Sequence, residues 1–261
     1  MSRTQSNNTN LYYEVNGKGQ PLLFIHGLGS STRDWELQVQ EFSKTYRVIT
    51  FDMRGHGQSD KPAGPYSLSM FASDAAAVLK SLGIESAHVV GLSLGGCIAF
   101  QLVTDFPSLV KTMTIVNSGP EVVIRTFKDR VGVWQRFTVV RLFGMRRIGE
   151  ILSKNLFPRD EHASLRKTFV ENWAKNDSRA YLDAMRAMVN WTVMDKLGSI
   201  KCPTLILTVD QDYTPVAFKE EYIKRIPNAQ LVVIPDAHHG LPAEWPEKFN
   251  AALMDFLIKH S

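Results

Sequence analysis

The pentapeptide Gly91-Leu92-Ser93-Leu94-Gly95 restricts this chain more than any other feature. It is entered from an apolar run, Ala87-His88-Val89-Val90, and left through a helical pattern from about Gly95 to Asp105. A serine between a strand and a helix, flanked by glycines, implies a reversal tight enough to strain the serine backbone. The glycines let other segments approach where a Cβ would clash. Such a turn holds Ser93 Oγ clear of the backbone, with the Leu94 N–H beside it at a helix N-terminus, where negative charge is favoured. Ser93 is therefore the candidate nucleophile.

Around this turn, short apolar runs alternate with longer helical patterns, which predicts an α/β fold with a mostly parallel central sheet. Leu11–Val15 reads as an edge strand followed by a turn at Asn16–Gly19, and Leu22–Ile25 as a buried strand ending at His26-Gly27. Arg47–Phe51, Ala87–Val90, Val110–Val116, Thr204–Val209 and Leu231–Ile234 continue the series. Helices are expected from about Ser67 to Leu82 and from Pro246, tolerated in a first turn, to about Lys259. Between Gly119 and Ile200 the alternation stops, and aromatic residues recur among charges at helical spacing. Residues 120–199 are read as an inserted helical cap on a core formed by residues 1–119 and 200–261. From Arg125 to Arg147 the cap carries seven Lys or Arg against one acid, Asp129, read as the solvated face of amphipathic helices. Trp134, Phe137, Met145, Met185 and Met188 are candidates for the wall of a substrate pocket beneath it.

Composition narrows the classes of function. A net charge of +4, with no long basic run and no zinc-type cysteine spacing, argues against nucleic-acid binding. Cys97 and Cys202 are the two cysteines, far from a disulfide framework, and the polar Met1–Asn10 segment lacks the plan of a secretory signal. The most apolar stretch, Ala87–Val103, is broken by Ser93 and three glycines, so it is not a membrane span. A cytoplasmic protein without stable membrane insertion is expected; the sequence leaves the oligomeric state open.

An oxyanion hole needs two convergent N–H groups, one after the nucleophile and one from the loop after an earlier strand. Leu94 and Leu28, the latter in His26-Gly27-Leu28-Gly29, fill these places through their backbones. His26, just before that loop, is read as a hydrogen-bonding residue that shapes it.

These motifs, with Phe51-Asp52-Met53-Arg54-Gly55-His56-Gly57-Gln58-Ser59, resemble the α/β-hydrolase superfamily, close to its small cofactor-free serine carboxylesterases. The resemblance covers nearly the whole chain except the cap and gives Arg54 and His56 structural roles. It implies the order serine, acid, histidine. After Leu205–Val209, Asp210 and Asp212 compete for the acid. Aligning Val209 with the family's usual glycine selects Asp212, leaving Asp210 as a loop or capping residue. After the last strand, His238 and His239 compete for the base. His239, five residues before Glu244 in Glu244-Trp245-Pro246-Glu247, matches the family's pattern, and His238 stands where glycine is usual.

The implied activity is hydrolysis of a small carboxylic ester through an acyl-enzyme, with no metal or organic cofactor. A lactonase or a carbon–carbon bond hydrolase on the same triad is the alternative. A small-molecule receptor with a vestigial site is the alternative of another class.

Overall fold

The computed structural model describes residues 2–261. Its strands are β1 (Ser2–Ser6), β2 (Thr9–Asn16), β3 (Pro21–Ile25), β4 (Arg47–Phe51), β5 (Ala87–Leu92), β6 (Val110–Val116), β7 (Glu121–Val122), β8 (Trp191–Thr192), β9 (Thr204–Gln211) and β10 (Ala229–His238). Its α-helices are α1 (Glu36–Phe42), α2 (Leu68–Ser81), α3 (Leu94–Asp105), α4 (Phe127–Leu156), α5 (Ala163–Trp173), α6 (Ser178–Met188), α7 (Val216–Ile223), α8 (Leu241–Glu244) and α9 (Pro246–Lys259).

Eight strands form one sheet in the order β1-β2-β4-β3-β5-β6-β9-β10. From β4 to β10 all pairings are parallel, while β1 and β2 run antiparallel. Both faces are covered, which is why the central strands are buried along most of their length. In β3, Leu22 and Phe24 face a layer with Trp35, Phe42 and Phe249, near α1 and α9. Leu23 and Ile25 face the opposite layer, with Phe71 of α2 and Ile98 of α3. The expected edge strand Leu11–Val15 lies in β2, but β1 covers it and forms the actual edge. Ser2–Ser6 is too polar to read as a strand; it is recruited by register, with Thr4 opposite Leu11.

The cap carries β7, α4, α5, α6 and β8, and a small antiparallel pair, β7 with β8, closes its base. Thr126 starts α4 with a capping box, its side chain accepting from the Asp129 N–H and the Asp129 carboxylate accepting from the Thr126 N–H. Gly144, at φ +75°, kinks the helix and turns its second limb over the core. Polar contacts pin the cap down: Asn176 Nδ2 donates to the Gly29 carbonyl at 2.6 Å, and Arg159 donates to the Asp236 carbonyl at 2.9 Å.

Buried polar side chains organise the loops beside β3 and β4. Asp52 accepts from the Thr32 and Gln58 N–H groups, each at 2.7 Å. Arg54 forms a two-pronged pair with Asp74, both contacts 2.6 Å. His26 Nε2 accepts from the Met53 N–H at 3.1 Å, which leaves Nδ1 to donate to the Gly27 carbonyl at 2.8 Å. Burial lowers the His26 pKa to about 4. Burial and then the neighbouring His26 lower His56 to about 3, and burial lowers His88 to about 4.

These histidines stay neutral in the fold while an unfolded chain would protonate them near pH 6.5. Their contribution is complete above that pH and is lost as pH falls toward 4, at about 1.4 kcal/mol per pH unit for each. Urea unfolding at pH 7.5, 6.0 and 5.0 should show a steadily falling midpoint. A midpoint that does not move across this window would contradict neutral burial.

Candidate active site

The strand order places a switch point between β3 and β5, because β4 continues from β3 on one side and β5 lies on the other. In open α/β sheets, ligands bind in the crevice outside the carboxyl ends of the strands at such a point. The loop His26-Gly27-Leu28 leaves β3 here, and Ser93 directly follows β5. Asp212 directly follows β9 and His239 directly follows β10. Four strand ends thus bring residues distant in sequence to one rim.

Ser93 sits at φ +55° and ψ −116°, a strained backbone for a residue with a side chain. The close approaches around it require glycine. A Cβ on Gly91 would overlap the Gly95 carbonyl, and one on Gly95 would overlap the Ile25 carbonyl. Ser118 Oγ donates to the Ser93 carbonyl at 2.7 Å, and the Ser93 N–H donates to the Val116 carbonyl at 3.0 Å. Leu94 opens α3, so its N–H is one of the first-turn donors without an acceptor inside the helix. Gly27 lies against Ser93, 3.6 Å from its Cβ when given one of its own, and Leu28 lines the adjoining cavity.

His239 Nδ1 is 2.6 Å from Asp212 Oδ1, and the Asp212 carboxyl is buried. The other carboxylate oxygen accepts from Lys219 Nζ at 2.6 Å and from Thr214 Oγ1 at 3.0 Å. Burial pushes the Asp212 carboxyl up, but the hydrogen bond and charge of His239, followed by Lys219, hold it well below the usual carboxylate range. Lys219 is itself 0% exposed and also bonds to the Thr214 carbonyl and hydroxyl. Asn117, at φ +46°, donates to the His239 carbonyl at 3.0 Å, and the Tyr213 ring lies 4.5 Å from the imidazole. Ser93, Asp212 and His239 border the same cavity. No Ser93–His239 hydrogen bond is present among the described residues; such contacts commonly tighten when substrate binds.

The competing residues are engaged elsewhere. Asp210 accepts from the Ala237 N–H at 3.3 Å and so caps the end of β10. His238 Nδ1 lies 2.7 Å from Glu244 Oε1, and its N–H donates to Glu244 Oε2 at 2.6 Å. Cys97 borders the cavity, but burial raises its thiol to about 11, so it stays protonated and weakly nucleophilic.

The cavity measures about 510 Å³ and is mostly apolar, within the range of small-molecule sites. Of the pocket candidates, Met188 lines it. Trp134 is 66% exposed, on the outer face of α4 with Phe127 and Leu142. Met145 and Met185 are buried in the packing beneath the cap, and Phe137 packs there under the Arg186 guanidinium, 5.1 Å from its ring centroid. Beside Met188, the cap's apolar part of the wall comes from Leu152, Leu156, Phe157, Phe169 and Trp173. Residue type marks these side chains as apolar; the rotation of each helix and the kink at Gly144 decide which ones turn inward.

Lys219, Ser118 and Asn117 escape sequence reasoning. Lys219 sits in Val216–Ile223 among charges, where a lysine ordinarily reads as solvated. Asn117 and Ser118 carry one signal, their place directly after strand β6. Among the described residues, no cluster of three or more His, Cys, Asp or Glu could hold a metal ion, and no helix is long and apolar enough to cross a membrane.

Residues 20–140 match the family model described as the alpha/beta hydrolase fold. The (E)-2-((N-methylformamido)methylene)succinate hydrolase of Acinetobacter baylyi is 32% identical over 258 residues, covering 97% of this chain and 95% of that protein. Among solved structures, Est816, described as an N-acyl homoserine lactone degrading enzyme, is 30% identical with a TM-score of 0.84, covering 98% of this chain and 100% of that one. A thermophilic esterase from Thermogutta terrifontis, solved with malate bound, is 26% identical with a TM-score of 0.89, covering 100% of this chain and 99% of that one.

The Lys219 contact makes a stability prediction. Lys219→Met keeps the side chain's bulk but strips a buried carboxylate of one counter-charge, which should cost about 3 kcal/mol in urea unfolding. The double variant Lys219→Met/Asp212→Asn should cost less than the sum of the single changes, because the two groups are in contact. Additive effects would mean that the pair is not coupled.

Proposed function

The chain belongs to the α/β-hydrolase superfamily, and on that premise we propose that it is a serine hydrolase cleaving short- to medium-chain carboxylic esters through an acyl-enzyme on Ser93. The observation that carries this reading is the short Asp212–His239 contact on the rim of the cavity bordered by the strained Ser93. Serine is a poor nucleophile at its free pKa, so His239 removes the hydroxyl proton as Oγ attacks the ester carbonyl. Asp212 fixes the imidazole and stabilises the imidazolium without taking the proton itself. The Leu28 and Leu94 N–H groups receive the oxyanion, with a loss of about 3 kcal/mol expected for each donor removed. His239 then protonates the leaving alcohol. Water, activated by the same histidine, adds to the acyl carbon and releases the acid.

The apolar wall and cavity size support an acyl or aryl group buried under the cap. Lactone opening is the second reading. It uses the same steps with the leaving alcohol tethered to the acyl group, and Est816 is described as degrading a lactone. No step calls for a cofactor.

Initial rates on p-nitrophenyl esters of increasing acyl length test the proposal. Turnover should peak at short or medium chains and fall by about 10³-fold or more in Ser93→Ala. A folded wild type that hydrolyses neither these esters nor simple lactones, yet binds one small molecule tightly, would favour the receptor reading instead.

A further inference from the structure

Charged side chains are a minority on the mostly apolar cavity wall, and two of its carboxylates are paired. Asp212 is held by Lys219 and His239. Glu121 is paired with Arg125 at 2.6 Å. Arg33 is exposed and, like Asp34 and Glu36 of the same segment, forms no ion pair among the described residues. Arg136, from the first limb of α4, is different. It lines the cavity and is half-buried. Its Nε donates to the Tyr181 hydroxyl at 2.6 Å, and its guanidinium carbon lies 5.6 Å from the centroid of that ring. Tyr181 is itself fully buried, so one edge of the guanidinium is fixed. The terminal amino groups have no carboxylate partner among the described residues.

We propose that Arg136 anchors a second, anionic group of the substrate, so that the ester or lactone cleaved at Ser93 carries a free carboxylate remote from its scissile bond. A guanidinium beside a mostly apolar cavity is costly to desolvate without an opposite charge. Its planar fork matches a carboxylate in two-pronged fashion, and holding one edge still reduces the ordering cost on binding. One guanidinium balances one carboxylate; a phosphate monoester dianion would leave excess negative charge under the cap. The position also suits a bifunctional substrate. Arg136 and Tyr213 line the same cavity. Tyr213 in turn lies 4.5 Å from the His239 ring. The anchor and the imidazole therefore border one cavity.

The inference rests on the hydrolase reading of Ser93 for its kinetics but not for its binding, and the test separates the two. The kinetic arm compares p-nitrophenyl hydrogen adipate with p-nitrophenyl hexanoate, which share an acyl length but end in a carboxylate and a methyl group. Arg136→Gln should lower the adipate-to-hexanoate ratio of kcat/KM by about tenfold, mainly through KM, and Arg136→Lys should recover part of it. The binding arm titrates adipate into Ser93→Ala by calorimetry, where adding Arg136→Gln should raise Kd by about tenfold. Should Arg136→Gln unfold, Arg136→Lys, which keeps the charge and loses the fork, should still lower the ratio, by less than about tenfold. Both esters hydrolysed, with ratio and adipate Kd unmoved by the folded variants, would overturn the anchor and spare the esterase reading. Neither ester hydrolysed, with adipate still bound through Arg136, would overturn the esterase reading and spare the anchor.

Discussion

The architecture of the site depends on one close approach, where α3 leaves β5. Gly91 and Gly95 have no Cβ, so the Gly95 carbonyl can lie against Gly91, and Gly95 itself against the end of β3. That contact brings the loop after β3 next to Ser93 and holds the serine in a backbone conformation it would not choose alone. The surroundings resist relaxation. Ser118 clamps the Ser93 carbonyl, and Tyr222 holds the Ser118 carbonyl from α7. Strain at one residue is thus maintained by a ring of ordinary hydrogen bonds from strands and helices far apart in sequence.

A second constraint is charge. Asp212 is buried beside His239, and burying a carboxylate is expensive unless it is paired and hydrogen-bonded. The fold answers with Lys219, a lysine enclosed entirely and tied to both Asp212 and Thr214. Each Asp212 oxygen then has its own partner, one toward the imidazole and one toward the ammonium, so the carboxylate has little freedom to rotate. The cap is attached more lightly, through contacts such as Asn176 to Gly29 and Arg159 to Asp236. Rigid strand ends thus carry the proposed chemistry, while the wall that contacts substrate comes largely from helices laid over them.

Much of the core is legible from the sequence for a simple reason. A strand of a parallel sheet buried on both faces is largely apolar, as β3 shows plainly, while β6 and β9 set buried threonines among their apolar residues. β1 fails the same test because an edge strand needs only a register and backbone partners. Ser2–Ser6 therefore looks like a polar tail until Leu11 is placed opposite Thr4. Local pattern also picks Ser93, since the strained turn, its glycines and its flanking elements are all adjacent in the chain.

The sequence by itself determined the parallel sheet, the tight turn at Ser93 and the candidates at the later strand ends, because these follow from neighbours within a few residues. Only the tertiary structure decided that Asp212 faces His239 while Asp210 caps β10 and His238 turns to Glu244. It alone enclosed Lys219, turned Trp134 outward and Leu152 inward, and left Arg136 on the cavity wall without a counter-charge. Periodicity says that a side chain belongs to a face; which face meets the cavity depends on how far a helix is rotated and where Gly144 bends it.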